Sequence, residues 1–147
     1  MADSMFADNR ARIVIVEDNS PDVLLVSESL NAQSIDHELI HFRDASEAMD
    51  KLADLGTTAD TPDVIIVDLN MPRMSGLEFL GKLKEQRTLS GVPIAVLTSS
   101  LSPEERDEAE RLGADRFLRK PIDLYEYLDE VGTMISDLIR LRRSQQI

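Results

Sequence analysis

The sequence predicts an α/β fold, a doubly wound five-stranded parallel sheet with five helices. Three observations predict it. Short apolar, β-branched runs alternate with longer amphipathic segments along nearly the whole chain. The runs are continuous rather than alternating, the pattern of strands buried on both faces. The segments between them are helix-like, and several open on a capping residue or close on glycine.

Taken in order, RIVIV (12–16) is the first strand. SPDVLLVSESLNA follows, with Ser20 suited to the N-cap and Pro21 to the first helical position. Val23, Leu24, Val26 and Leu30 form its apolar stripe. HELIHF (37–42) is a short second strand. DASEAMDKLADLG opens on Asp44, carries Glu47 three residues on as a capping box does, and ends at Gly56, a C-terminal cap. After the polar loop TTADTP comes the third strand, DVIIV (63–67), and then the helix GLEFLGKLKEQ (76–86). PIAVLT (93–98) is the fourth strand, with Pro93 tolerated at its start. SPEERDEAERLGA repeats the capping logic: Ser102 as cap, Pro103 first, Glu105 third, Gly113 past the end. RFLRK (116–120) is the fifth strand, and an extended last helix runs from about Asp123 to Arg143. One domain, 12–143, is expected between a flexible segment, 1–11, and a tail, 144–147. No internal repeat, linker or output domain is visible.

Bulk properties narrow the function. The 147 residues suit a single domain with its own core. Cysteine is absent, which removes disulfides, thiolate metal sites and a cysteine nucleophile. No segment has the character of a signal peptide or of a membrane span, so the expected location is the cytoplasm. The formal net charge of −12 opposes binding to nucleic acid or anionic lipid. The basic run Arg140–Arg143 falls where it complements a helix C-terminus. Aromatics, at 4%, are too sparse for base stacking. His37 and His41 match no ligand spacing and read as structural; Met71 and Met74 read as loop packing.

In an open α/β sheet, ligands collect at the carboxyl ends of the strands. There the first strand offers Glu17, Asp18 and Asn19, the third Asp68 and Asn70, the fourth Thr98, Ser99 and Ser100, and the fifth Lys120 followed by Pro121. Three clustered carboxylates repel one another, and a single lysine cannot neutralise them all. A hard divalent cation, Mg²⁺ or Mn²⁺, suits oxygen donors without His or Cys. Metal, lysine and a carboxylate nucleophile together form an apparatus for phosphoryl transfer, in which positioning and charge neutralisation matter most. Asp68, on the central strand, is the candidate nucleophile. Each residue also has an ordinary explanation: Asp68 ends a strand, Glu17 and Asp18 open a helix, Lys120 lies on the surface, and Phe117 belongs to the core. Their coincidence at neighbouring strand ends outweighs those explanations for the acids and the lysine.

VEDN, VDLNMPRMSG, VLTSS and RKP, in this order at the ends of these strands, resemble the receiver domain of two-component response regulators. The resemblance covers roughly residues 12 to 135. It implies the flavodoxin-like strand order 2-1-3-4-5. It implies Asp68 as phosphoacceptor, Asp18 as direct Mg²⁺ ligand, Glu17 as the acid holding a metal-bound water, and Asn70 as the residue whose backbone carbonyl binds the metal. It further implies Thr98 as the switch hydroxyl, Lys120 as the partner of a phosphoryl oxygen, a cis Lys120–Pro121 bond, and Phe117 as the aromatic switch. The loop through GTTADTPDVIIVDLNMP and the segment TLSGVPIAVLTSS resemble stand-alone receivers that pair with bacteriophytochromes.

The function so implied is that of a phosphorelay switch, with autophosphorylation and slow autodephosphorylation as its own chemistry. A sensor histidine kinase phosphorylates Asp68, and the face of the fourth helix, fifth strand and fifth helix changes its affinity for a downstream protein or phosphotransfer partner. A phosphohydrolase forming an aspartyl phosphate is the enzymatic rival, but it needs a second acid where Asn70 stands. A degenerate receiver acting only as a binding module is the third reading. In the last helix, Leu124, Leu128, Val131, Ile135 and Leu138 form the stripe expected on the sheet. Tyr127, Met134 and Leu141 lie off it and suggest a partner or a second copy, a homodimer through that helix, against the ordinary explanation of a ragged helix end.

Overall fold

The structure, a computed structural model, describes residues 10–55, 61–86 and 89–145. Its elements are β1 (Ala11–Val16), α1 (Ser20–Ala32), β2 (His37–Phe42), α2 (Ala45–Leu55), β3 (Val64–Val67), α3 (Gly76–Lys84), β4 (Ile94–Thr98), α4 (Pro103–Arg111), β5 (Arg116–Arg119) and α5 (Leu124–Ser144). The strands form one parallel sheet in the order β2-β1-β3-β4-β5. Elements and order agree with the sequence reading. The expected Gly56 cap and most of the segment 1–11 lie outside the described residues. Ala11, assigned to that segment, opens β1 instead.

Strand periodicity divides the core between the two faces. Val14 and Val16 of β1 pack with Ala45, Ala48 and Leu52 of α2 and with Phe79, Leu80 and Leu83 of α3. Ile13 and Ile15 point the other way, to Val26 and Leu30 of α1 and to Val131, Ile135 and Leu138 of α5. Successive side chains of a strand leave on opposite faces, so a continuous apolar run feeds both layers. Met71 and Met74 pack at the margin of the first cluster, as read.

α1 and α5 approach closely at Gly132. A Cβ there would stand 2.7 Å from the Ser29 carbonyl oxygen and 2.6 Å from Gln33 Cγ. Only a residue without a side chain allows this spacing.

Two local expectations are corrected. Asn19, not Ser20, caps α1: its backbone is extended and its side chain accepts the Asp22 N–H at 3.4 Å. Asn and Ser are both strong caps, and adjacent in sequence they are separable only by backbone geometry. In α5, Tyr127 belongs to the buried stripe with Val131, Ile135 and Leu138, whereas Leu124 is 51% exposed. Within the first turn Tyr127 turns onto the second core cluster and Leu124 turns to solvent. Met134 also packs on the second cluster. Of the supposed surplus, Leu141 alone stays exposed. The basic run behaves as expected: Arg142 and Arg143 occupy the last turn of α5, Arg140 pairs with Asp137, and Arg143 lies 3.5 Å from Asp63.

Candidate functional site

The parallel register places the strand ends side by side. Val16 is level with Val67, and the Asp68 N–H donates to the Val16 carbonyl at 3.1 Å. Glu17 N–H donates to the Phe42 carbonyl, and Lys120 N–H to that of Thr98. Glu17 and Asp68 therefore emerge together from the centre of the sheet. Both are buried, at 2% and 6% exposure, while Asp18 is open to solvent.

Carboxylate oxygens of Glu17, Asp18 and Asp68 lie within 4.8 Å of one another. Two acids buried at this distance are costly while both are charged. Burial, followed by the hydrogen bond with Asp68, pushes the Glu17 carboxyl up to about 8, against the opposing pull of Lys120. An all-oxygen donor set with one solvent-facing member and a poorly compensated negative charge fits a hard divalent cation.

Backbone groups fix the acids. The Asn70 N–H donates to Asp68 Oδ1 at 3.2 Å, and the Asn19 N–H to Glu17 Oε2 at 3.3 Å. His41 donates from Nε2 to the Glu17 carbonyl at 2.7 Å, and His37 bonds Ser27 and the Ile35 carbonyl. Both histidines are thus structural, as the sequence suggests. Thr98 is fully buried, and its hydroxyl oxygen accepts from Asn70 Nδ2 at 3.4 Å and from the Ser100 N–H at 3.1 Å. Asn70 therefore links Asp68 to Thr98. Phe117 sits partly buried on β5, with the Arg106 guanidinium 5.7 Å from its ring centroid.

Lys120 Nζ lies 2.9 Å from Glu17 Oε1, 2.7 Å from Asp22 Oδ2 and 3.8 Å from Asp68 Oδ2. Burial lowers its pKa, but the bonds to Asp22 and Glu17 outweigh that and hold it above the ordinary value. Asp22 is the participant that the sequence reading passed over. An acid in the first turn of a helix has an ordinary role in complementing the helix terminus, which hides a second one. Its spacing of four residues from Asp18 was the available signal. The Lys120–Pro121 bond is trans, contrary to the cis bond that the resemblance implies. The two isomers of an X–Pro bond differ by only about 1 kcal/mol, so sequence does not decide between them.

Residues 13–131 match the response regulator receiver domain family. This chain belongs to that family. The receiver is 36% identical to the response regulator Rcp1 of Synechocystis sp. over 114 residues, 76% of this chain and 78% of that protein. It is 34% identical to the response regulator PleD of Caulobacter vibrioides over 77% of this chain but only 23% of that protein. Among solved structures, the phosphorylated cyanobacterial phytochrome response regulator RcpA aligns with TM-score 0.79 and 30% identity, covering 88% of this chain and 94% of its own. The Mn²⁺-bound form of Rcp1 aligns with TM-score 0.72 and 33% identity, covering 86% and 92%. Among the described residues, no helix of the receiver is long and apolar enough to cross a membrane.

Proposed function

We propose that this receiver is a phosphorylation-controlled switch of a two-component phosphorelay, with Asp68 as the acceptor. The observation that carries this is the placement of Asp68: buried at the end of the central strand, beside Glu17 and Asp18, and within 3.8 Å of Lys120. An Asp68 carboxylate oxygen attacks phosphorus as the bond to the donor breaks. From a phosphohistidine the P–N bond breaks and the imidazole leaves; from acetyl phosphate a P–O bond breaks and acetate leaves. Asp18, Asp68 and the Asn70 carbonyl would hold Mg²⁺ or Mn²⁺, with Glu17 holding a metal-bound water, and the ion would neutralise charge on the transferring group. Lys120 contributes a second positive charge. The acyl phosphate is later lost to water in the same site, so the signal limits itself.

Phosphorylation adds negative charge and acceptor oxygens beside Asn70 and Thr98. Thr98 then exchanges its present partners for the phosphoryl group, and Phe117 repacks beneath Arg106. The face of α4, β5 and α5 carries the change to a downstream protein or phosphotransfer partner. The switching unit is 12–143, it acts in the cytoplasm, and its kinase is a sensor histidine kinase. The likeness to RcpA, a cyanobacterial phytochrome response regulator, favours a phytochrome-type sensor, a bacteriophytochrome, as that kinase. A homodimer through the last helix would use its exposed Leu124, Tyr125 and Leu141, since Tyr127 and Met134 pack on the second cluster.

The test is intact mass after incubation with acetyl phosphate and Mg²⁺. One phosphoryl group should be gained, and the gain lost in Asp68→Ala and without metal. Equal labelling of the Ala variant would refute the assignment.

A further inference from the structure

Lys120 stands closer to Asp22 than to the carboxylate it is meant to serve. The Nζ···Oδ2 separation is 2.7 Å to Asp22 and 3.8 Å to Asp68. The Lys120 side chain is 10% exposed and that of Asp22 22%, so water screens this pair less than a surface ion pair. Asp22 is not needed to cap its helix, because Asn19 already accepts the first-turn N–H. Its carboxylate reaches from the first turn of α1 across to Lys120 at the end of β5.

The two partners of Lys120 differ in their chemistry. Glu17 belongs to the trio of carboxylates that converge for a cation, and Asp22 does not. A divalent ion entering the trio draws on Glu17 and weakens its hold on the lysine. Asp22 is then the competitor that remains.

We infer that Asp22 is a positioning residue that holds Lys120 in a resting place, and that phosphoryl entry at Asp68 must draw the lysine away from it. This rests on the acceptor role of Asp68 proposed above. Asp22 then opposes phosphorylation and favours the resting state. The Tyr127 hydroxyl, buried and without a hydrogen-bond partner among the described residues, is a donor beside this region. Among the charges that raise its pKa, that of Asp22 acts most strongly, after burial itself. When Lys120 leaves, this hydroxyl is available to the Asp22 carboxylate.

The test compares wild type, Asp22→Asn and Asp22→Glu, each shown to be folded and to bind Mg²⁺. With acetyl phosphate and Mg²⁺, Asp22→Asn should be phosphorylated about three- to tenfold faster, and Asp22→Glu should return the rate toward wild type. A role in structure alone would slow labelling, because a loosened lysine serves the site less well. An equal or lower rate in Asp22→Asn therefore overturns the inference, while labelled wild type leaves the acceptor reading intact. A second readout needs no covalent step: the Lys120 Nζ resonance in ¹⁵N NMR. It should differ between wild type and Asp22→Asn without metal, and the two should converge on adding Mg²⁺ and beryllofluoride. A difference that persists shows the lysine still on Asp22, and again overturns the inference.

Discussion

A Cβ at Gly76 would stand 2.5 Å from the carbonyl oxygen of Asp68 and 2.5 Å from Leu69 Cα. The first turn of α3 is thus set directly against the backbone that presents the candidate acceptor. The Gly76 N–H also donates to the Leu69 carbonyl at 3.1 Å. Gly76→Ala must push backbone against backbone, which has little room to give. Overpacking of this kind costs about 1–3 kcal/mol. Chemical denaturation should show that loss, and labelling of Asp68 should slow as its loop shifts. Unchanged stability and rate would mean that the loop adapts freely.

The second close approach has a sign that separates two effects. In a helix interior, Gly→Ala ordinarily stabilises by about 1 kcal/mol. At Gly132 the new methyl meets the Ser29 carbonyl oxygen at 2.7 Å. Gly132→Ala should therefore destabilise, by about 1–3 kcal/mol, despite the better helix propensity. An increase in melting temperature would show that α1 and α5 can separate at little cost.

Glu17 makes the metal-free protein sensitive to pH. Burial, and then the hydrogen bond with Asp68, raise its carboxyl from an ordinary 4.5 to about 8. The folded state holds this proton more tightly than the unfolded chain does. The stability so contributed is fully present below about 4.5 and is lost as pH rises to about 8. Without metal, the wild-type melting temperature should fall across that window relative to Glu17→Gln. Saturating Mg²⁺ should reverse the fall, because the cation compensates the ionised carboxylates. Parallel pH profiles for the two proteins without metal would exclude this account of Glu17.

Removing the Lys120 charge should act on both folding and chemistry. Lys120→Met retains an apolar stem but leaves Glu17 and Asp22 without their cation. Breaking a buried pair can cost about 3 kcal/mol. Because Glu17 holds its proton up to about pH 8, the loss falls mainly on Asp22 at neutral pH and grows above pH 8. Unfolding in denaturant at neutral pH should show a deficit that shrinks on adding Mg²⁺. Labelling of Asp68 should be at least tenfold slower even with metal present. A normal labelling rate would remove Lys120 from the transfer step.

Much of this receiver is legible in its sequence because the determinants are local. Continuous apolar runs mark strands buried on both faces, and Ser102 with Glu105 or Asp123 with Glu126 mark helix starts by a spacing of three. Chain order alone then delivers Glu17, Asp18, Asp68, Thr98 and Lys120 to one edge, since parallel strands all end on the same side. What local pattern could not decide was which of these groups touch. Lys120 favours Asp22 over Asp68 by 1.1 Å, the difference between 3.8 and 2.7 Å, and the placement of the first turn of α1 beside the end of β5 sets it. Tyr127 is buried rather than exposed because of where α5 crosses the sheet, a rotation that its own periodicity leaves open. Periodicity and capping act over a few neighbouring residues. Partner choice among charges depends on ångström distances between residues nearly a hundred positions apart, which only the tertiary fold supplies.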